Sequence, residues 1–522
     1  MPFSVKKDTI TLPTVAGSVV VSGLSFQPKA LILWSTKQTA TGIAADAIQS
    51  VGMATSSSAR YCVQQYSTDA LAGASSTTVH RQENTLCLVP QTTVGGTNEV
   101  TLDLASFNSD GFTLTLATPS GTPVATIVHY MALGGSDLTN AFVFSPTPGA
   151  GTGDKAFTGV GFRPECVITM QTMLTGFGSA FSTGQVHVGA FTSAAAFTTN
   201  WKAINAANPS DVSQWQIAKV LNATTNATGS TQDHDATFVS FDSDGFTLNY
   251  GTNVSNHPAG FLCLKGGRYS VHTETQKTST GTQAKTGIGF TPKGLFLAGA
   301  SAAANAAIDQ TQAKQVIGGS DGTTEGCTFV SVTDNVATSE AKSSASTSKF
   351  LQHITNPSTV NAEASGFSLD ADGYTLDWTT ADVTAREFAV VAFGSPATGG
   401  GGTPTPQQAD LFVNLAGTRK KVVNFFYTRA RVVNTPPVVA PIANQTQVAT
   451  NLAANLRRRN TTYFLRRPVS VGDPVTPPDP SECPVLTPED PSAVSISGEA
   501  PGSLSLSGEA SSSLDLTPED PC

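Results

Sequence analysis

FNSDGFTLTL, residues Phe107–Leu116, returns as FDSDGFTLNY at Phe241–Tyr250 and as LDADGYTLDW at Leu369–Trp378. In each copy Asp-Gly separates two runs of alternating apolar residues, the mark of a β-hairpin whose glycine supplies the positive φ of a two-residue turn. Asp110, Gly111, Asp244, Gly245, Asp372 and Gly373 therefore mark three hairpin tips. Beyond the first tip Phe112, Leu114 and Leu116, like their counterparts in the other copies, form the inward side of a half-buried strand.

Two further signatures keep the same order along the chain. Phe-x-Pro followed by an apolar run occurs in SFQPKALILW (Ser25–Trp34), GFRPECVITM (Gly161–Met170) and GFTPKGLFLA (Gly289–Ala298). Proline has no amide to donate to a ladder, so Pro28, Pro164 and Pro292 mark strand entries and the runs after them read as buried strands. Apolar strands that stop at Gly135, Gly267 and Ser395 close the three copies, and the entry and closing strands of each are expected to pair. The landmarks recur roughly every 130 residues, the size of a whole β-sandwich rather than of a solenoid repeat.

Composition agrees with an all-β chain: 522 residues with 47 Gly, 30 Pro and only 13% charged side chains. We read three tandem β-sandwich repeats of jelly-roll type at residues 1–135, 136–267 and 268–395, each a whole domain. The middles of the copies, Ile43–Val100, Phe177–Thr237 and Ala302–Gly366, share little wording and read as surface loops on a common scaffold. Trp201 and Trp215 are the one aromatic pair there that hints at a ligand-binding face.

A Gly/Pro linker at 396–409 leads into an extended C-terminal arm. Residues 410–471 are basic, with Arg419, Lys420, Lys421, Arg457, Arg458 and Arg459 among them, and residues 472–522 carry acids and no Lys or Arg. Aromatics near the arginines suggest nucleic acid, but the chain's own acidic tail would compete with phosphate, which favours contact with acidic protein surface. The acidic part repeats a ten-residue unit: VSISGEA at Val494, LSLSGEA at Leu504 and LDLTPED at Leu514. The apolar pairs Val494 and Ile496, Leu504 and Leu506, and Leu514 and Leu516 make strands too short to stand alone, suited to adding onto a sheet edge of a neighbour. A disordered polar tail is the competing reading of the same composition.

The sequence shows no catalytic, cofactor-binding or metal-binding constellation. Asp242-x-Asp244-Gly and Asp370-x-Asp372-Gly open like calcium loops but lack the later ligands, and the seven histidines have no partner at metal-ligand spacing. The seven cysteines show no CxxC spacing; most read as small buried residues, with an intermolecular disulfide at Cys483 or Cys522 left open. MPFSVKKDTITLP lacks the apolar core of a secretory signal, and no stretch is long and apolar enough for a membrane span, so synthesis in the cytoplasm is expected.

At the repeated Phe-x-Pro and (N/D)-x-D-G-(F/Y)-T-L signatures, across Phe3–Ser395, the chain resembles structural proteins of tailed-bacteriophage virions, a group rich in tandem β-sandwich domains and terminal arms. The resemblance implies a non-enzymatic virion component of the tail, its tip or its fibres, made in the host cytoplasm. Its implied partners are other virion proteins and copies of itself, with no cofactor. A capsid decoration protein, a receptor- or carbohydrate-binding module facing a host surface glycan, and a polysaccharide-degrading enzyme are the alternatives.

Overall fold

The computed structural model describes residues 2–396 except 73, 74, 76, 94, 95, 226, 228–230, 303–307 and 356–358, together with the backbone of two strands, Gln407–Leu415 and Thr418–Tyr427. Its regular structure is entirely β. Met1–Thr403 form one compact unit of six antiparallel sheets, two per repeat. In the first repeat the large sheet runs Ser4–Thr11, Ile127–Gly134, Pro28–Ser35, Ala47–Ala54, Arg60–Ser67, Thr78–Glu83 in space. Its small sheet runs Gly17–Val21, Gly111–Ala117, Asn98–Asn108, Leu88–Thr92. The other two repeats use the same order, and entry and closing strands pair in all three: Ser4 with Gly134, Asn140 with Lys265, Arg268 with Gly394. Pro28 and Pro292 open their strands, whereas Pro164 lies two residues ahead of Cys166–Thr172.

The small-sheet strands bury one face. Along Gly111–Ala117, Phe112, Leu114 and Leu116 are buried while Thr115 is exposed, as period-two alternation requires. The inner large-sheet strands bury both faces, and alternate residues belong to different cores. In the Phe-x-Pro strand Leu31 and Leu33 join the core of the first sandwich, whereas Ile32 and Trp34 point into another. That other core also takes Ile168 and Met170 of the second repeat and Phe296 and Ala298 of the third. The three sandwiches are therefore not independent domains on a string; their large sheets meet in one common core.

The middles are corrected by this packing. They are not surface loops: Ala47–Ala54 and Gly184–Phe191 are buried throughout, as strands of the large sheets between the repeats. Trp201 and Trp215 are buried as well, Trp201 against Ala47 of the first repeat and Ala313 and Val330 of the third, so they offer no ligand-binding face.

Candidate functional site

The repeated signatures meet at one device, present three times. The two turn residues are Ser109-Asp110, Ser243-Asp244 and Ala371-Asp372, and each glycine is the first residue of the return strand, paired with Asn108, Asp242 or Asp370. The glycine is thus not a central turn residue. What demands it is close approach: a Cβ on Gly111, Gly245 or Gly373 would lie 1.9, 1.9 or 1.8 Å from the carbonyl oxygen of Val21, Phe157 or Lys285 on the adjoining edge strand. Only Gly245 (φ 135°) and Gly373 (φ 156°) also need positive φ.

The turn aspartate latches the stretch just before Phe-x-Pro. Asp244 accepts the amides of Gly159 at 3.0 Å and Gly161 at 2.5 Å, and Asp372 those of Gly287 at 3.0 Å and Gly289 at 2.6 Å. In the first copy Gly23 donates to Asp110 at 3.2 Å, and Ser25 (φ 60°) stands where the others have a second glycine. Hydrogen bonds from Gly161 and Gly159 hold the Asp244 carboxyl below its usual range. The earlier acid of the motif is occupied too: Asp242 accepts Ser240 and Thr247 hydroxyls, each at 2.7 Å, and Asp370 accepts Ser368 and Thr375. The shared Thr of the signature has its reason there. These carboxylates build the hairpin, and among the described residues no group of three or more His, Cys, Asp or Glu is placed to share an ion. Gly245→Val should lower stability by about 3 kcal/mol through this clash and the forced φ, read as a lower midpoint in chemical denaturation; an unchanged midpoint would contradict the close approach.

Three of the contacts between repeats run in one rotational sense, each made by the loop after the Phe-x-Pro strand. Gly42–Ala45 of the first repeat pairs with the edge strand Ala341–Ser346 of the third. Ala180–Phe181 of the second pairs with the edge Thr78–Glu83 of the first. Asp309 of the third forms a two-hydrogen-bond bridge, both at 2.8 Å, with Gln214 on the edge strand Val212–Ile217 of the second. One head-to-tail contact used three times closes into a ring. It also interrupts the far edge of every large sheet, pairing part of the row of free amides that invites aggregation.

Between the sheets lies a polar but largely uncharged interior. Gln49 donates to Thr328 at 3.2 Å, Gln38 to Ser343 at 3.1 Å and Gln82 to the carbonyl oxygens of Leu174 at 3.1 Å and Gly176 at 2.9 Å, all across repeats. Histidines that the sequence scatters come together in the second repeat. The rings of His187 and His234 are 6.3 Å apart and those of His234 and His257 5.8 Å. His234 Nε2 is 2.7 Å from Gln171 Oε1, and Asp233 lies 3.4 Å from both His234 and His257 and accepts Ser255 Oγ at 3.0 Å. Burial works against the Asp233 charge, but the hydrogen bonds from His234, His257 and Ser255 overcome it and hold the carboxyl below its usual range. Burial lowers His187 and His234 in turn. Ser255 donates its hydroxyl to Asp233 rather than to a histidine.

An open cavity of about 390 Å³ lies where the first and third repeats join, lined by Lys37–Asp46, Ile48, Val124 and Ser343. Lys37 is already paired with Glu99 at 2.6 Å. Cys62, Cys87, Cys166, Cys263 and Cys327 are free and buried, as small core residues. Of the expected assembly residues, Arg419, Lys420 and Lys421 lie on the second strand of an antiparallel pair, opposite Asn414, Val413 and Phe412. Arg457, Arg458, Arg459, Val494, Ile496, Leu504, Leu506, Leu514, Leu516, Cys483 and Cys522 lie outside the described residues. No helix among the described residues is long and apolar enough to cross a membrane. No protein-family model matches the chain, and no curated protein matches it in sequence.

Proposed function

We propose that this protein is a non-enzymatic structural component of a tailed-phage virion, of the tail or its fibres, joined to neighbouring subunits through its C-terminal arm. The observation that carries the reading is the closed ring of three sandwiches around one core, with its interior spent on holding the repeats together. Each repeat is a two-sheet antiparallel sandwich of ten strands with its first and last strands adjacent, a form that suits such a building block. The arm supplies what a building block needs next, a basic segment for acidic protein surface and acid-flanked apolar strands for a partner's sheet. Its partners are other virion proteins and further copies of itself.

The test is truncation after Ser395 in the infecting phage. The shortened chain should keep its folded ring, judged by an unchanged thermal midpoint of the Met1–Thr403 unit, and should be missing from purified particles. Incorporation at the normal copy number would overturn the reading. Negative-stain microscopy with an antibody to the second repeat then places the protein on the particle.

A further inference from the structure

The small sheets end on equivalent edge strands, Gly17–Val21, Gly153–Thr158 and Gly281–Thr286, with no strand beyond them among the described residues. Two of the three are guarded. The position that pairs with the second inward residue of the return strand is Lys155 in the second repeat, opposite Leu248, and Gln283 in the third, opposite Leu376. Lys155 donates to Ala150 O at 2.7 Å; Gln283 donates to Thr275 O at 2.8 Å and accepts the Trp378 indole at 2.7 Å. One position along, Lys285 pairs with Glu274 at 2.7 Å. Inward-pointing polar and charged side chains of this kind keep a foreign strand off an edge.

The first repeat has no such guard. Its equivalent of Lys155 and Gln283 is Val19, opposite Leu114, and Val21 follows opposite Phe112. The stretch Thr9–Phe26 contains no charged residue, and Val15 and Val20 are 70% and 65% exposed. Val19 is itself buried in the first sandwich core and the exposed Val20 faces outward, so what the first repeat leaves open is the backbone edge of a β-prone, uncharged strand.

We propose that Gly17–Val21 is a strand-acceptor site, and that its occupant is a decapeptide strand from the C-terminal tail of another copy of this chain. This deepens the assembly reading above and rests on it. The stretches Val494–Ser497, Leu504–Ser507 and Leu514–Thr517 alternate apolar and small or polar residues. Added beside Gly17–Val21, such a strand pairs its backbone with the free edge, sets its apolar pair on the core side beside Val19 and Val21, and turns its polar residues outward. Each unit carries an acid, so tails repel one another while the uncharged edge does not repel them. Edge and tail are different surfaces, so the contact is head to tail and propagates from copy to copy.

The test is sedimentation velocity of the full-length chain across micromolar concentrations. Val19→Lys installs the residue the second repeat already carries at this place, so the scaffold accommodates it, and an unchanged thermal midpoint verifies that. A second variant replaces the six tail apolar residues with Ser. The parent chain should grow in mass with concentration, and either variant should weaken association at least about tenfold, as losing a buried apolar pair implies. Mixed together, the two variants should form complexes that stop growing, with at most three six-serine chains on one Val19→Lys chain, since one retains only the three-unit tail and the other only the edge. If the six-serine variant still associates while Val19→Lys does not, two copies pair edge to edge and the proposal is wrong. It is equally wrong if neither variant changes the mass, or if tail-dependent amide protection of Gly17–Val21 appears in a chain that stays monomeric. Because these measurements use purified protein, they can fail while particle incorporation still depends on the arm, so the two readings fall separately.

Discussion

Expressed alone, the second repeat, residues 136–267, should not fold: its far-ultraviolet and amide NMR spectra should be those of an unfolded or aggregating chain, whereas the whole Met1–Thr403 unit should melt in one cooperative transition. Its own sandwich core is intact on paper, with Phe157, Phe191, Phe246 and Phe261 in contact. Yet eleven of its apolar side chains, from Leu138 to Leu264, lie in the core shared with the other repeats. At about 1.5 kcal/mol for each full burial, exposing half of that surface costs about 8 kcal/mol, comparable with the whole stability of an ordinary domain. The excised repeat would also bare the face of Gly184–Phe191 that carries Val186, Val188 and Ala190 into the shared core, and the polar groups that the first repeat satisfies, such as Thr172 Oγ1, which donates to Gln82 at 3.0 Å. A well-dispersed spectrum from the isolated repeat would show that the shared core adds little.

Acid should unfold the ring well before its carboxylates are neutralised. Burial lowers His80 and His272 to about 4 and His353 to about 3, and His129 and His187 fall well below the ordinary 6.5. These groups stay neutral in the folded chain but take up a proton near pH 6.5 once unfolded, so the unfolded state binds more protons as pH drops. The stability they provide is complete above pH 6.5 and is lost as pH falls toward 4, by up to about 3 kcal/mol for a residue such as His80. The groups facing them do not offset this. Lys7 lies beside His129, and Arg386 and Lys314 oppose a charge on His353 more than Asp382 favours one. Below pH 4 the depressed carboxyls of Asp309, Asp321 and Asp382, where amide and side-chain hydrogen bonds outweigh burial, remove a further share. The denaturation midpoint should therefore fall steeply between pH 6.5 and 4, with a shallower slope in His353→Leu. A midpoint constant from pH 7 to pH 5 would mean that the histidines are hydrated.

The local hairpin chemistry was readable in the chain, and the relation between repeats was not. Asp110-Gly111 and its two echoes announce hairpins because turn residues act on their own neighbours. The reason for the glycine was misplaced, since the carbonyl oxygen that excludes a Cβ at Gly245 belongs to Phe157, far away in sequence. The middles were misread for a similar reason. Gln49, Ser50, Gln64 and Gln65 look like loop residues, but they are buried strand residues facing a neighbouring sheet, and nothing in their own stretch shows that sheet. The histidine cluster is invisible because Gln171, Asp233 and His257 meet only once the second sandwich has closed.

Where the repeats begin and end, they touch. The Phe3 amide donates to Asp137 Oδ2 and to Ser395 Oγ, both at 3.0 Å, so the start of the first repeat, the start of the second and the end of the third converge. Gly135 and Gly266 are wedged there, each with a carbonyl oxygen about 2 Å from where a Cβ would sit. The peptide links near Ser136 and Arg268 thus bridge points already in contact. Three separate copies would have to find one another at a rate set by their abundance, whereas tethered copies meet at millimolar effective concentration whatever the expression level. Tethering also frees the copies from identity: one gene can keep Lys155 and Gln283 on two faces and place Val19 on the third. A ring of identical subunits would be obliged to carry the same edge three times over.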